Sequence, residues 1–491
     1  MSLRKIYLLF FICLLGSTAP MAAQSIVAQL DLGRREPQPD FYEYSNVDQG
    51  LVTLGATSKV STRYIGLTKY DSDLKKEWSK KVLEQNGRKT IDFLAVVGPN
   101  ILVFVSEEFP KERVIKTYYY QYDLDGNERA SEAILSVYPL EKEQRVNLQY
   151  VMSRDKRKLL CFKNLKNKRD SEQVLYYIFD DEGDVTVDGE INLRYPDNRF
   201  EVKDVRVSNQ GNVYLLGKFA RSNNVRDADD QKYIIYRHDA RRQDGHEIPI
   251  ELGDRYITNL AFRLDRDENI YLAGFYSNRS ADELAGTILQ RIDNNGRLSL
   301  NAIEPFSQNF LSNYLSKSQI NRGRELRNFQ LQDIVLRSDG GVLLMAEKVY
   351  LTYQSYRDIY GYWVEREIYH YEDVILTSVS ASGEIEWHAI IDKQQVSDNP
   401  HSLSYFNAIS TSGIHLFYEY RPRRRKLNIY YNTIGIDGEV SDRMPLFKTY
   451  KSGNEFYPKF CEQVNNDEAI MVYYSNRGRM LTVVKVRFTT S

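Results

Sequence analysis

Three features of the 491-residue sequence predict an all-β fold, a β-propeller of about eight four-stranded blades with seven as the alternative. Apolar runs recur after polar turns, Asp/Asn/Gly hairpin turns recur at a similar interval, and alternating segments at the two ends each lack a partner. The 37 Tyr and 21 Phe, against 3 Trp, agree with a strand-rich chain, because aromatic rings pack well on pleated surfaces.

The apolar runs come first. Ile101–Val105, Val213–Gly217, Ile270–Gly274, Val342–Ala346, Ile414–Tyr418 and Glu468–Tyr473 each follow a polar or Gly-containing turn and read as buried central strands. Hairpin turns supply the second element, as in Tyr118–Gly126, Leu175–Gly183, Ile234–Asp239, Ile288–Gly296, Leu376–Trp387 and Ile429–Gly438, with an earlier copy over Tyr64–Trp78. Asp-Gly and Asn-Gly between alternating runs mark hairpins because the turn requires positive φ. Successive turns lie about fifty to sixty residues apart except for a gap of nearly ninety between Gly296 and Gly383. A four-stranded blade takes roughly forty to fifty residues, so each repeat fits one sheet and the gap holds insertions. Units begin near residues 44, 90, 149, 200, 257, 329, 402 and 456.

The ends supply the third element. Leu481–Phe488 matches the strand before a hairpin turn but has no strand after it, while Ser25–Leu32 alternates with no local partner. Pairing them closes the ring and hides both edges. An open solenoid or two stacked β-domains is the competing architecture.

Residues 1–23 read as a secretory signal peptide, with Arg4 and Lys5, an apolar run from Ile6 to Leu15, and small residues ending at Ala23. That run is too short for a bilayer, which takes about twenty residues, and no later stretch is long and apolar enough to be a transmembrane helix. Residues 24–491 then form one propeller domain with insertions at 306–328 and 350–372, secreted across the inner membrane to the periplasm or cell surface. Formal charge is −1 over the chain and two units more negative once Arg4 and Lys5 leave, which argues against nucleic acid as a partner. Cys161 and Cys461 do not make a disulfide framework and read as inert thiols in apolar strands.

Two turn phrases end in Trp, Asp73–Trp78 and Ser382–Trp387, and in this they resemble quinoprotein-type propellers. The block Gly340–Tyr350 with Trp387–Gln395 is similar to a set of uncharacterised secreted proteins from Bacteroidota, in detail over residues 330 to 420. That resemblance implies a cell-envelope setting and no particular activity. It carries over no cofactor, since only two turns end in Trp and no clustered carboxylate site for calcium can be placed.

The search for chemistry returns none. The six histidines lack the i, i+4 spacing of a metal site, and His415 within an apolar strand reads as a satisfied core residue. Asp265–Asn269, Asp123–Gly126 and Asp227–Asp230 have the opening spacing of a calcium loop without its sixth-position Gly and twelfth-position Glu; for the first two a hairpin turn is an equal account. No Gly-x-Ser-x-Gly elbow, Walker loop or dinucleotide fingerprint is present. Glu365 and Glu367 share a strand face but read as a solvated side, and Glu107 and Glu108 point to opposite faces.

The most distinctive segment is the insertion carrying Tyr353, Tyr356, Tyr360, Tyr362 and Trp363, either a long hairpin packed on a neighbour or a binding surface of amphipathic rings. Phe306–Asn328 places Phe310, Leu311, Tyr314 and Leu315 at near-helical spacing and reads as a short helix over the ring. The basic run with Arg423 and Arg424 is a solvated hairpin tip or a patch for anionic glycan or lipid headgroups. Together these favour a binding scaffold for a protein or glycan of the cell envelope. The rival is a polysaccharide-acting hydrolase or lyase whose carboxylates, Tyr and His come from separate blades at the channel mouth.

Overall fold

The computed structural model describes residues 24–32, 50–59, 62–84, 89–139, 148–165, 171–196, 199–220, 231–250, 253–420, 428–447, 454–475 and 480–488. The signal-peptide segment 1–23 and the basic run with Arg423 and Arg424 lie outside the described residues.

The chain is all-β. Among the described residues, eight antiparallel sheets of three to five strands follow one another along the chain. Their first strands are Leu51–Lys59, Lys89–Val97, Gln149–Met152, Phe200–Val207, Tyr256–Leu264, Phe329–Leu336, Tyr405–Ser410 and Asn454–Phe456. In each complete sheet the second strand is the apolar run, buried because it has strands on both edges and a neighbouring sheet on both faces; Ile101–Val105 and Val342–Ala346 are almost wholly inaccessible. Fourth strands such as Glu128–Pro139 and Val185–Pro196 alternate exposed and half-buried, as befits an outer edge.

Each sheet packs on the next. Leu216 and Ile235 of the fourth sheet meet Phe262 and Leu272 of the fifth. Met345 and Leu376 of the sixth meet Leu416 and Tyr418 of the seventh. Fully burying such a side chain stabilises the fold by about 1.5–3 kcal/mol. Leu51, Tyr70 and Leu74 of the first sheet share a cluster with Ile470, Val472, Leu481 and Val483 of the eighth, against which Ala28 and Leu30 also pack. The N-terminal strand Ser25–Leu32 pairs antiparallel with Met480–Arg487, Ser25 opposite Arg487 and Leu32 opposite Leu481.

Antiparallel order puts the connections at two ends. Turns between first and second strands and between third and fourth strands share one end; hairpins between second and third strands and links between sheets share the other. Both insertions fall at this second end. The first holds two short helices, α1 (Gln308–Leu311) and α2 (Lys317–Asn321), the latter opened by a capping box between Ser316 and Gln319. The other extends the second and third strands of the sixth sheet into a long hairpin, Val342–Arg357 and Trp363–Val379.

The two Trp-ending turns have a common role. The Trp78 Nε1–H donates to Leu124 O (2.9 Å) and the Trp387 Nε1–H donates to Ile436 O (3.0 Å), each reaching the hairpin turn of the next sheet. Gly438, at φ 85°, lies so close that an added Cβ would stand 2.6 Å from the Trp387 ring.

Candidate functional site

The hairpin is set by its turn. Asp358 caps the backbone N–H groups of Tyr360 and Tyr362 (2.9 Å each), Gly361 takes φ 85°, and pairing runs without a break from Val349/Tyr371 to Arg357/Trp363. Tyr353, Arg357, Trp363, Glu365, Glu367 and Tyr369 therefore share one face, while Tyr356, Val364 and His370 share the other. The rings do not pack on a neighbouring sheet: Tyr353 is 64% exposed, Tyr356 45%, Tyr360 77%, Tyr362 71% and Trp363 68%, with Ile359 at 90%. The packed reading of this insertion therefore does not describe its tip. The Arg357 guanidinium lies 5.0 Å over the Trp363 ring, and Tyr350 stacks on His370 at 4.5 Å.

The base of the hairpin is held from inside. Glu347 and Lys393 form a wholly buried ion pair (2.5 Å), and the Ser404 hydroxyl donates to Glu347 Oε2 (2.6 Å). Lys393 also donates to Gln395 Oε1 (2.9 Å), and Gln395 belongs to a short strand, Gln395–Ser397, that adds to the hairpin at Tyr369–Tyr371. Burial pushes the Glu347 carboxyl up and the Lys393 ammonium down, each against the pull of its partner. The buried Tyr405 ring stands beside Glu347, its hydroxyl without a hydrogen-bond partner among the described residues.

The helical insertion is anchored beside it. Phe310 of α1 stacks on His388 (3.9 Å) and is buried, as is Phe306. Burial, with the Asp373 carboxylate nearby at the hairpin base, pushes the Tyr314 hydroxyl up. Arg327 Nε donates to the buried Glu283 (2.6 Å). Burial pushes the His388 imidazole down to about 4, its ring also bonding the Thr377 hydroxyl (3.0 Å).

A charge cluster runs along the first strands. Four of them carry a β-bulge near the start, between Ile91 and Phe93, Val202 and Asp204, Ile257 and Asn259, and Leu331 and Asp333. Such a bulge re-aims the side chains after it. Asp204 accepts from Arg206 (3.0 Å) and lies 3.7 Å from Arg263, which also pairs with Asp333. Three consecutive sheets are thus joined by alternating charge. Burial pushes the Asp204 carboxyl up against the pull of both guanidinia.

Among the described residues no histidine hydrogen-bonds to this cluster. His238 bonds the Tyr176 hydroxyl (2.9 Å), and His415 is buried between Ser410 (2.7 Å) and Thr433 (2.9 Å) as a satisfied core residue. Asp265 and Asp123 cap their own turns, accepting from Asn269 N–H (2.9 Å) and Asn127 N–H (2.7 Å). Cys161 is buried in a strand and Cys461 ends a short 3₁₀ turn; they do not bridge. Among the described residues no group of three or more His, Cys, Asp or Glu is placed to hold a metal, and no helix is long and apolar enough to cross a membrane. Sequence reasoning missed Asp204, Arg206, Arg263, Asp333 and the Glu347–Lys393 pair; Asp204 and Arg206 lie on one strand, but their meeting with Arg263 and Asp333, like the Glu347–Lys393 pair, depends on contacts between sheets or distant loops.

No family model matches the chain, and no curated protein matches it. Solved β-propeller proteins are among the structures it is similar to. One is the β-propeller domain of the trilobed protease from Pyrococcus furiosus, with 11% identity, 84% of this chain and 97% of that chain covered, and a TM-score of 0.36. A quinohemoprotein alcohol dehydrogenase from Comamonas testosteroni has 10% identity, 96% and 78% coverage, and a TM-score of 0.45. A polysaccharide lyase has 8% identity, 95% and 100% coverage, and a TM-score of 0.38.

Proposed function

We propose that this chain is a secreted β-propeller of eight blades, closed by its N-terminal strand, that acts as a binding scaffold in the cell envelope. Its contact surface is the long hairpin, and its partner is a protein or a glycan. The observation that carries this reading is the exposure of five aromatic side chains at the hairpin tip, above a base fixed by a buried ion pair. Rings with a polar edge give large contact area at low entropic cost, and an apolar patch of this kind is a liability unless covered in use. The blade assignment rests on eight consecutive sheets, each packed on the next, with the first and last sharing one core cluster. On that arrangement the first strands line a central channel.

The test compares the parent with a variant carrying Tyr356→Ala, Tyr360→Ala and Trp363→Ala, on a glycan array and against purified envelope proteins. Retention of a ligand by the parent, lost at least tenfold by a variant of unchanged melting temperature, is the expected result. Equal retention removes the hairpin from the binding surface.

One observation favours the enzymatic rival, the convergence of Asp204, Arg206, Arg263 and Asp333. Both guanidinia are committed to ion pairs there, and no imidazole is at hand for proton transfer. Polysaccharide cleavage by the parent that Asp333→Asn abolishes would establish the rival.

A further inference from the structure

Beyond its rings, the hairpin offers an unpaired backbone edge. Asp358 N–H donates to Tyr362 O (2.9 Å) and Gly361 N–H donates to Asp358 O (3.0 Å), which closes the hairpin and directs both Asp358 backbone groups inward. Counting back through the unbroken register, Tyr356/Val364, Gln354/Arg366 and Thr352/Ile368 also exchange hydrogen bonds. Leu351, Tyr353, Ser355 and Arg357 must then direct their N–H and C=O groups away from the hairpin. On the body of the sheet that side is covered by Phe329–Leu336, but its pairing stops at Lys348. Among the described residues no further strand pairs with the segment from Leu351 to Arg357, and every residue in it is exposed.

Sheet edges are usually blunted by proline, charge or a cover. Outer strands of this protein follow that practice, with Pro139, Pro196, Pro249 and Pro305 in four sheets and Lys76, Lys80 and Lys81 in a fifth. The opposite edge of the same hairpin is covered at Tyr369–Tyr371 by Gln395–Ser397 and charged farther out by Glu365, Arg366 and Glu367. The stretch Leu351–Tyr356 has neither proline nor charge nor bulge.

We infer that this edge receives an extended segment of a protein partner as an added β-strand. The inference rests on the hairpin being the contact surface and names the class of partner it takes. Outward N–H and C=O groups repeat every second residue, roughly 7 Å apart, which is the spacing an extended polypeptide backbone satisfies. Side chains set the preference: Leu351 and Tyr353 flank the edge on one face, so apolar residues at alternate positions of the segment pack there. Arg357 at the outer end, already over Trp363, favours an acidic residue opposite it.

Ser355→Pro removes one outward N–H, leaves every ring in place and spares the bonds within the hairpin; Ser355→Thr keeps that N–H. The probe is a displayed library of random octapeptides selected on the whole protein, with the winners resynthesised and titrated. Expected winners alternate apolar and polar residues, bind the parent and S355T alike, and bind S355P at least tenfold more weakly. Leu351→Pro, at the same kind of edge position, repeats the test should S355P disturb the Asp358 turn. Winners that bind both proline variants as tightly as the parent, or a library that yields none, overturn strand addition. Glycans retained by the parent and S355P but lost by the ring variants would also overturn it, while leaving the hairpin as the contact surface. If no ligand of either kind depends on the hairpin, both readings fall together.

Discussion

Lys393 is buried and pairs directly with the Glu347 carboxylate. Removing it alone strands Glu347 in a wholly buried site, at a cost of about 3–5 kcal/mol. Lys393→Met should therefore lower the urea midpoint sharply, and adding Glu347→Gln should recover most of the loss, since a neutral amide can still accept from Ser404. A double variant no more stable than the single one would show that packing of the long side chain, not its charge, matters here. At Gly438, alanine must adopt positive φ and push on Trp387, so Gly438→Ala should destabilise by about 1–3 kcal/mol. Trp387→Phe, which loses the bond to Ile436 and part of the ring packed against the turn at Gly438, should cost about 1–3 kcal/mol. Both are read from denaturant midpoints. The Trp-ending turns were visible in the sequence because the turn and the ring are neighbours along the chain. The Glu347–Lys393 pair was not, because Glu347 follows an apolar run and Lys393 a strand, and nothing local marks the loop that brings them together.

At the scale of elements, the helical insertion is fastened through an imidazole. His388 lies under Phe310 and is held neutral by burial, its pKa down at about 4 against an ordinary value of 6.5. A base depressed in the folded state contributes stability above its unfolded pKa and loses it as pH falls, here between pH 6.5 and 4. Allowing for residual solvent, that contribution is about 2 kcal/mol. Glu462, which burial lifts to about 7, has the opposite slope, its stabilising share fading as pH rises from about 4.5 to 7. The readout is therefore the difference between parent and His388→Gln. Between pH 6.5 and 4 the parent should lose more stability than the variant, and hydrogen exchange should quicken in residues 306–328 before it does in the sheets. Parallel curves would mean that the ring leaves its site without cost. The helix was legible in the sequence at Phe310 and Leu311, but it ends there, so that Tyr314 and Leu315 stand in the turn before α2, and the partner His388 was not legible. The aromatic hairpin was legible as a hairpin, but its exposure was not, since the same residues suit a packed face equally well.

For the whole molecule, legibility divides along the same line. Asp-Gly and Asn-Gly turns announce themselves because the required φ is a property of one residue, so the hairpins at Asp123–Gly126 and Asp293–Gly296 stand where the sequence puts them. The Asp204–Arg263–Asp333 cluster depends on how three sheets sit together, and no local pattern encodes that. Closure is the property on which the proposed ring turns. The N-terminal strand covers the edge of Met480–Arg487, Gln24 bonds the Tyr431 hydroxyl (3.3 Å) and approaches His415, and Lys485 donates to Ser72 O (3.0 Å) in the first sheet. Deleting residues 24–34 uncovers that edge and releases Ala28 and Leu30 from the core shared by the first and eighth sheets. The apolar part alone amounts to about 2 kcal/mol, to which the lost strand pairing adds. In a closed ring the melting temperature should fall, and exchange protection should drop first in residues 468–475 and 480–487 and next in residues 50–84, while the fourth sheet, which shares no core cluster with the first or the eighth, keeps its protection longest. An open arrangement of sheets makes a different forecast: loss confined to the eighth sheet, with the first sheet unaffected. Protection measured across residues 50–84 therefore decides between ring and chain, whatever the size of the overall shift.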